Sequence, residues 1–195
     1  MHTMERYFNH SGSMEITDGI AEALMQTVIR NAPIVMQRPD DYNARAEIMW
    51  AGSLSHNGLT DCGCDHGDWA THKMEHELGG LFDVAHGAGL AAIWGSWARY
   101  VCDADYARFA RFATKVLNVA PQATDQETVL AGIAAMEQFY RSIQMPTSLR
   151  ELGVSPTEEQ IQEMARKCIL ATKGPAGKVK PLQQNDVENI YRAAL

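Results

Sequence analysis

The chain has 195 residues and a formal net charge of −7, with a pI near 5.4, and this length can bury one full core or two small ones. Phosphate contacts require a basic surface, and no run of lysine and arginine occurs, so we expect no nucleic-acid partner. The N-terminus has no apolar signal core and the uncharged stretch 87–98 is too short to span a bilayer, so we expect a cytoplasmic protein without a membrane partner.

Helical periodicity begins near residue 16, where apolar side chains recur every four residues up to Val28. Pro33 is expected to close this helix, because proline cannot continue the backbone hydrogen bonding. Asp41 is a suitable N-cap for the next helix, and the Asn57-Gly58 pair suits its C-terminal end. These residues predict two helices in the first third of the chain.

Three further helices are predicted in the middle of the chain. Asp68 is expected to cap a helix that ends at Gly79-Gly80, and Asp103 precedes an apolar run at helical spacing over 106–116. Residues 125–143 form the next periodic segment, which stops shortly before a proline. Each predicted helix is joined to its neighbour by a short connection.

The C-terminal part has two predicted helices and one predicted mobile linker. Pro156 suits the first turn of a helix that runs to about residue 171, the linker 173–178 follows, and Asn185 opens a final helix. No alternating β-branched strands are present. The sequence therefore predicts a single all-α domain over 1–195, a multi-helix bundle of roughly seven to nine helices.

Three histidines lie close together in the segment 68–91. His72 and His76 are four residues apart and share one face of a helix, and His86 follows just ahead of a glycine. Neutral imidazole is a common ligand of zinc and a good ligand of ferrous iron. A second helix that starts near His86 and folds back on the first would bring all three rings together.

Two other metal patterns overlap or adjoin this segment. His72, Glu75 and His76 also fit the H-x-x-E-H pattern of a zinc peptidase, which needs a distant third ligand such as Glu151 and leaves His86 without a role. The Cys62-Gly-Cys64-Asp-His66 cluster has no second cysteine pair, so we expect ordinary thiols there.

The remaining candidate motifs favour structural interpretations. Residues 87–92 fit G-x-G-x-x-A, but a dinucleotide fingerprint needs a preceding strand and a βαβ unit. We expect the small residues to let a helix N-terminus lie close to the site instead. His10, His56 and His66 lack partners at metal spacing and are expected to be solvated or structural. The aromatic residues that recur at helical spacing are mainly candidates for the core, namely Trp69, Trp94, Trp97 and Tyr100.

The segment 68–91, DWATHKMEHELGGLFDVAHGAGLA, resembles the metal-site signature of the iron-containing alcohol dehydrogenases, specifically their butanol dehydrogenase-like branch. Similar stretches occur at 2–8, at 42–51 and more weakly at 145–153, so the resemblance covers nearly the whole chain. It implies the C-terminal helical domain of that family, a dehydroquinate synthase-like fold.

The resemblance also implies a set of site residues. The family's metal ligands are an Asp and three His, and the His positions correspond to His2, His72 and His86. The Asp would precede Met1 by three residues and is not in this sequence, nor is the N-terminal α/β half that binds the nicotinamide dinucleotide. His76 is implied to sit beside the substrate, where a titratable imidazole could pass on the alcohol proton.

The implied enzyme interconverts a primary alcohol and an aldehyde with Fe²⁺ or Zn²⁺ and with NAD or NADP. The partners expected are a small alcohol or aldehyde and the absent N-terminal dinucleotide-binding half, and a homo-oligomer is compatible with the sequence. Either the sequence is a truncated piece of a longer chain or a separate chain supplies that half. A stand-alone helical metal-binding or interaction module without catalysis remains the alternative, with the zinc peptidase a more distant one.

Overall fold

The computed structural model describes residues 1–9, 12 and 14–195, and the histidine at position 10 lies outside the described residues. The described part contains nine α-helices and no strand, with a single isolated bridge between Ala176 and Leu182. The helices are α1 (His2–Tyr7), α2 (Glu15–Gln37), α3 (Tyr42–Leu54), α4 (Ala70–Phe82), α5 (His86–Val101), α6 (Tyr106–Lys115), α7 (Asp125–Ser142), α8 (Glu158–Thr172) and α9 (Gln184–Ala193). The all-α prediction is confirmed.

The prediction that Pro33 closes the second helix is wrong. Helix α2 runs through Pro33 to Gln37, and the Arg38 N–H still donates to the Ile34 carbonyl at 2.8 Å. A proline inside a helix removes one backbone hydrogen bond, but α2 packs along the length of α3. Tertiary packing therefore overrides the local preference to end the helix.

Aspartate side chains cap the starts of two helices, α3 and α6. Asp41 caps α3 as expected and accepts from the Ala44 N–H at 3.0 Å. Asp105 caps α6 and accepts from the Arg108 N–H at 3.0 Å, whereas Asp103, which also precedes this run, is paired with Lys180 at 2.9 Å. The aspartate nearer the first helical residue is the one whose carboxylate can reach the free N–H groups.

Two other predicted helix boundaries are wrong. Helix α4 passes through Gly79 and Gly80 and ends only before Asp83, whose N–H donates to the Gly79 carbonyl at 2.9 Å. Pro156 precedes the first turn of α8, because the side chain of Thr157 forms the N-cap. Glycine weakens a helix interior by only about 1 kcal/mol, which the burial of α4 against α5 and α8 offsets.

The linker 173–178, predicted to be mobile, is packed against the start of α4. Ala176 is fully buried, and the Lys178 and Val179 N–H groups donate to Asp68 Oδ2 at 2.7 and 2.9 Å. The other oxygen of Asp68 accepts from the first N–H of α4 at 2.9 Å. Asp68, predicted to be the N-cap of α4, lies one residue before the actual N-cap, Trp69. It still bonds the first N–H of the helix and also anchors a segment more than a hundred residues further along the chain.

Helix α5 is the central element of the core. Trp94 and Trp97 are each 1% exposed, and α5 packs against α4, α7 and α9. It begins at His86 directly after α4, with no strand before it, so the G-x-G-x-x-A segment is not part of a dinucleotide-binding unit. No helix in the described ranges is both long and apolar enough to cross a bilayer.

Helix α1 is held against the segment before α4 by a close backbone contact. The Asp68 N–H donates to the Glu5 carbonyl at 2.9 Å, and Gly67 adopts a φ of +74° beside it. A Cβ at position 67 would lie 2.4 Å from the Glu5 carbonyl oxygen and 2.6 Å from the Arg6 Cα. Only glycine fits this approach, and it determines where α1 lies relative to α4.

We expect Gly67→Ala to lower the free energy of unfolding by roughly 3 kcal/mol, because a left-handed backbone and a backbone clash are imposed together. Chemical denaturation measures the change. Gly153→Ala is the matched control, because Gly153 also has a positive φ, +84°, but open space around its Cα. Equal losses in the two variants would show that the contact with α1 contributes nothing to stability.

Candidate functional site

Five imidazoles form a continuous row across α1, α4, α5 and the end of α3. Successive ring centres are 4.3 Å apart from His56 to His2, 4.6 Å from His2 to His72, 5.3 Å from His72 to His86, and 5.6 Å from His86 to His76. The three predicted ligands and the predicted catalytic histidine therefore lie together. His56, predicted to have no partner at metal spacing, packs against His2, which no local sequence pattern indicates.

His72 is the most buried member of the row, at 3% exposure. Its Nδ1 lies 2.9 Å from Oε1 of Glu5, which is also buried. Its Nε2 is buried and has no hydrogen-bond partner. A buried polar atom without a partner is costly unless a ligand satisfies it, so Nε2 is a candidate donor to a metal ion.

The surroundings of His72 and His2 keep these two imidazoles neutral. Burial, with smaller contributions from the N-terminal amine, His86 and Arg6, lowers the pKa of His72 to about 3. Burial also lowers the pKa of His2 to about 4, with His72 and His56 contributing. Both rings are therefore uncharged at neutral pH, and the uncharged ring is the form that binds metal ions.

His86 stands at the first position of α5 and is half exposed, with 47% of its side chain accessible. Its Nδ1 is hydrogen-bonded to Oε2 of Glu75, whose side chain is 3% exposed. This bond leaves Nε2 of His86 for another partner. Both His72 and His86 therefore use Nδ1 for a buried carboxylate and keep Nε2 available.

The spacing of His72 from each of its two neighbours, His2 and His86, is compatible with a shared metal ion. Imidazoles bound to one tetrahedral zinc, with Zn–N bonds of about 2.0–2.1 Å, have ring centres roughly 5 Å apart. The distances of 4.6 Å for His2–His72 and 5.3 Å for His72–His86 lie close to this value. The donor set and the unpartnered Nε2 of His72 therefore fit a divalent transition metal.

A second group of possible ligands overlaps the first. Within the described residues, Glu75, His76 and His86 are the one set of three with ligand atoms all within 4.8 Å of one another. The hydrogen bond between Glu75 and His86 already explains the proximity of two members. This set also leaves the buried Nε2 of His72 without a partner, so we favour the site that includes His72.

The zinc peptidase pattern finds little support in the geometry. The His72 and His76 ring centres are 6.3 Å apart, farther than the 4.6 and 5.3 Å that separate His72 from His2 and His86. Glu151, the suggested third ligand, instead accepts hydrogen bonds from the Thr147 N–H and hydroxyl at 2.7 and 2.9 Å. No third ligand for a peptidase centre is therefore indicated.

The cysteine cluster does not form a metal site in the described part of the chain. Cys64 donates its thiol to the Arg6 carbonyl at 3.3 Å, and Cys62 is exposed. His66 lies 3.5 Å from Asp61 rather than beside either thiol. The expectation of ordinary thiols agrees with these contacts.

Trp69 is a site residue that the sequence did not reveal as one. It precedes α4 with a φ of +61°, a conformation that is strained for a bulky side chain. Its ring lies 4.9 Å from His72 and 5.6 Å from His2, and the Arg6 guanidinium stacks over it at 5.1 Å. The strained backbone thus places an aromatic wall beside two candidate ligands.

Comparison with known proteins gives one consistent result. The family described as Fe-containing alcohol dehydrogenase, C-terminal, matches residues 1–195. The NADH-dependent butanol dehydrogenase A of Clostridium acetobutylicum is 34% identical over 192 residues, covering 98% of this chain and 49% of that protein. The NADPH-dependent aldehyde reductase YqhD of Escherichia coli is 32% identical over 154 residues, covering 79% of this chain and 39% of that protein.

Solved structures agree with the sequence comparison. The crystal structure of NADH-dependent butanol dehydrogenase A from Thermotoga maritima has a TM-score of 0.90 at 34% identity, covering 99% of this chain and 49% of that one. Escherichia coli YqhD has a TM-score of 0.92 at 29% identity, covering 100% and 49%. The chain thus spans about half the length of the relatives it matches, and the resemblance drawn from the sequence is confirmed.

Proposed function

This chain belongs to the Fe-containing alcohol dehydrogenase family, and from that premise we propose that residues 1–195 act as one metal-binding domain of an NAD(P)-linked alcohol dehydrogenase. The reaction is the interconversion of a small primary alcohol and its aldehyde. The observation that carries the proposal is the buried, unpartnered Nε2 of His72 in the middle of an imidazole cluster.

His2, His72 and His86 are the residues that would hold the metal ion. When bound, Fe²⁺ or Zn²⁺ supplies Lewis-acid polarisation of the substrate oxygen. His72 would supply its imidazole from a buried position on α4, whereas His2 and His86 would supply theirs from α1 and α5. Three imidazoles suit either metal, so the ligand type does not choose between them.

His76 is proposed to carry the proton. It lies on the same helix face as His72, is exposed, and has its ring centre 5.6 Å from that of His86. Partial burial lowers the pKa of His76 from its usual value, with the neighbouring His86 and His72 adding to the effect. A neutral imidazole can accept the proton that an alcohol loses on oxidation.

The nicotinamide dinucleotide is proposed to bind mainly to an N-terminal half that is not part of these 195 residues. The described residues contain no strand followed by a glycine-rich turn and a helix, the unit that holds a pyrophosphate. The relatives named above include NADH- and NADPH-dependent enzymes, so the proposal covers NAD or NADP. We also propose that the protein is cytoplasmic.

Complementation tests this function. We expect the 195-residue chain alone to show no butanol oxidation and no saturable NADH or NADPH binding, because hydride transfer needs a positioned cofactor. Fusing the N-terminal half of the Clostridium acetobutylicum butanol dehydrogenase A to this chain should produce metal-dependent oxidation of butanol. Steady-state assays and dinucleotide fluorescence measure the two results.

A fusion that carries His72→Ala is the control, since it retains the dinucleotide half but lacks a proposed ligand. A folded, metal-loaded fusion that remains inactive would favour a metal-binding or interaction module without catalysis. Tight NADPH binding by the chain alone would contradict the proposed division between the two halves.

A further inference from the structure

Two buried carboxylates face the candidate metal centre, and each is bonded to the Nδ1 of a proposed ligand. Glu5 bonds to His72 and Glu75 bonds to His86, and both glutamates are 2% exposed. We propose that Glu5 and Glu75 are a matched pair of positioning residues that hold the Nε2 atoms of His72 and His86 toward one divalent cation and balance its charge. This inference rests on the proposed metal centre.

Glu5 links the ligand on its own helix to the ligand on α4. It follows His2 by three residues, so the two side chains lie on one side of α1. Its Oε1 bonds to His72 Nδ1 at 2.9 Å and also accepts from the Thr71 hydroxyl. An Nδ1–H that donates to a carboxylate leaves the lone pair on Nε2, which is the atom required for metal binding.

Glu75 reaches His86 through a gap that a glycine leaves open. A Cβ at Gly89 would lie 2.7 Å from Oε1 of Glu75 and 2.9 Å from its Cγ. The carboxylate is therefore enclosed between α4 and α5, where it can bond the ring at the first position of α5. Gly89, the second glycine of the G-x-G-x-x-A motif, is therefore required because a side chain there would overlap with Glu75.

The charges of the pair match the charge of the proposed ion. Within the described residues, the ion-pair partners of Glu5 and Glu75 are histidines, and the buried N-terminal amine is a further positive group that acts on Glu5. Burying a carboxylate without a cation is costly. When both are ionised, the two carboxylates beside the imidazole ligands would offset the two positive charges of Fe²⁺ or Zn²⁺, and Glu75 is then an orienting group rather than a general base.

Zinc affinity of the 195-residue chain tests the pair, measured by competition with a chromophoric chelator. We expect Glu5→Gln and Glu75→Gln each to weaken zinc binding by about 10- to 100-fold, the usual cost of losing such a partner of a ligand. Glu77→Gln is the control because Glu77 lies on the same helix and makes no contact with the histidine row. Its affinity should stay within about twofold of the wild type.

Gly89→Ala tests the same interaction while leaving Glu75 in place. The added methyl group should displace the carboxylate and weaken zinc binding about as much as Glu75→Gln does. Gly87→Ala is its control in the same turn of α5, where a Cβ meets nothing within 4 Å. If Gly89→Ala binds zinc as well as Gly87→Ala does, the proposal that Glu75 positions His86 for metal binding is wrong.

Nitrogen-15 NMR of the histidine rings provides a readout that does not depend on metal. In the metal-free wild type, His72 and His86 should carry their proton on Nδ1, and in Glu5→Gln and Glu75→Gln the affected ring should change its tautomer balance. Unchanged tautomers in both variants would overturn the inference. If the wild type binds no zinc, the proposed metal centre fails, whereas the tautomers still decide whether the glutamates orient the rings.

Discussion

Replacing His76 by alanine should lower alcohol oxidation in the fused enzyme by about 10²- to 10⁴-fold, the usual scale for general acid–base catalysis, while the metal stays bound. The reason is that His76 is exposed at the end of the imidazole row, whereas the unpartnered donor belongs to the buried His72. Metal analysis and steady-state kinetics on the same preparations separate the two effects.

The pH dependence of the rate gives a second readout. Because burial lowers the pKa of His76, its imidazole is neutral at pH 7 and becomes protonated only as the pH falls below the usual value near 6.5. The oxidation rate of the parent fusion should therefore decline on the acid side, and this decline should be absent in His76→Ala. A His76→Ala protein that loses its metal as completely as His72→Ala would instead favour the zinc peptidase arrangement, in which His72 and His76 are both ligands.

Replacing His72 by alanine should weaken zinc binding to the 195-residue chain by more than about 100-fold, beyond the 10- to 100-fold that the loss of an outer partner costs. His72 is the central ring of the proposed site, and its Nδ1 is already fixed by Glu5. Removing it takes away the buried imidazole between His2 and His86 and leaves only two of the three proposed ligands. Chelator competition measures the affinity.

His66→Ala is the control for this loss, since His66 is exposed and lies beside Asp61, outside the imidazole row. It should bind zinc as the wild type does. Equal zinc affinities for the wild type and His72→Ala would remove His72 from the metal centre.

The helices could be predicted from the sequence because apolar spacing and capping residues act locally. Asp41 begins a helix through its own side chain, and α4 and α5 follow the histidine segment as expected. The predicted C-terminal ends of α2, at Pro33, and of α4, at Gly79, were wrong because packing against neighbouring helices outweighs a single unfavourable residue. The prediction that the 173–178 linker is mobile was wrong because the residue that anchors it, Asp68, is distant in the sequence.

The spacing of His72, His76 and His86 was enough to predict that these rings meet, and family resemblance added His2. The carboxylates were not predicted, because their roles depend on atoms that come from different helices. Glu5 reaches His72 only because Gly67 allows α1 to lie against α4, and Glu75 reaches His86 only because Gly89 leaves room. Likewise, the strained backbone of Trp69 becomes apparent only in three dimensions.

Locating the metal by anomalous diffraction from crystals of the zinc-loaded chain tests the central claim most directly. We expect one strong peak at about 2.0–2.1 Å from Nε2 of His72 and Nε2 of His86, with His2 as the third imidazole. A peak coordinated by Glu75 and His76, with Nε2 of His72 still unpartnered, would contradict the proposed centre.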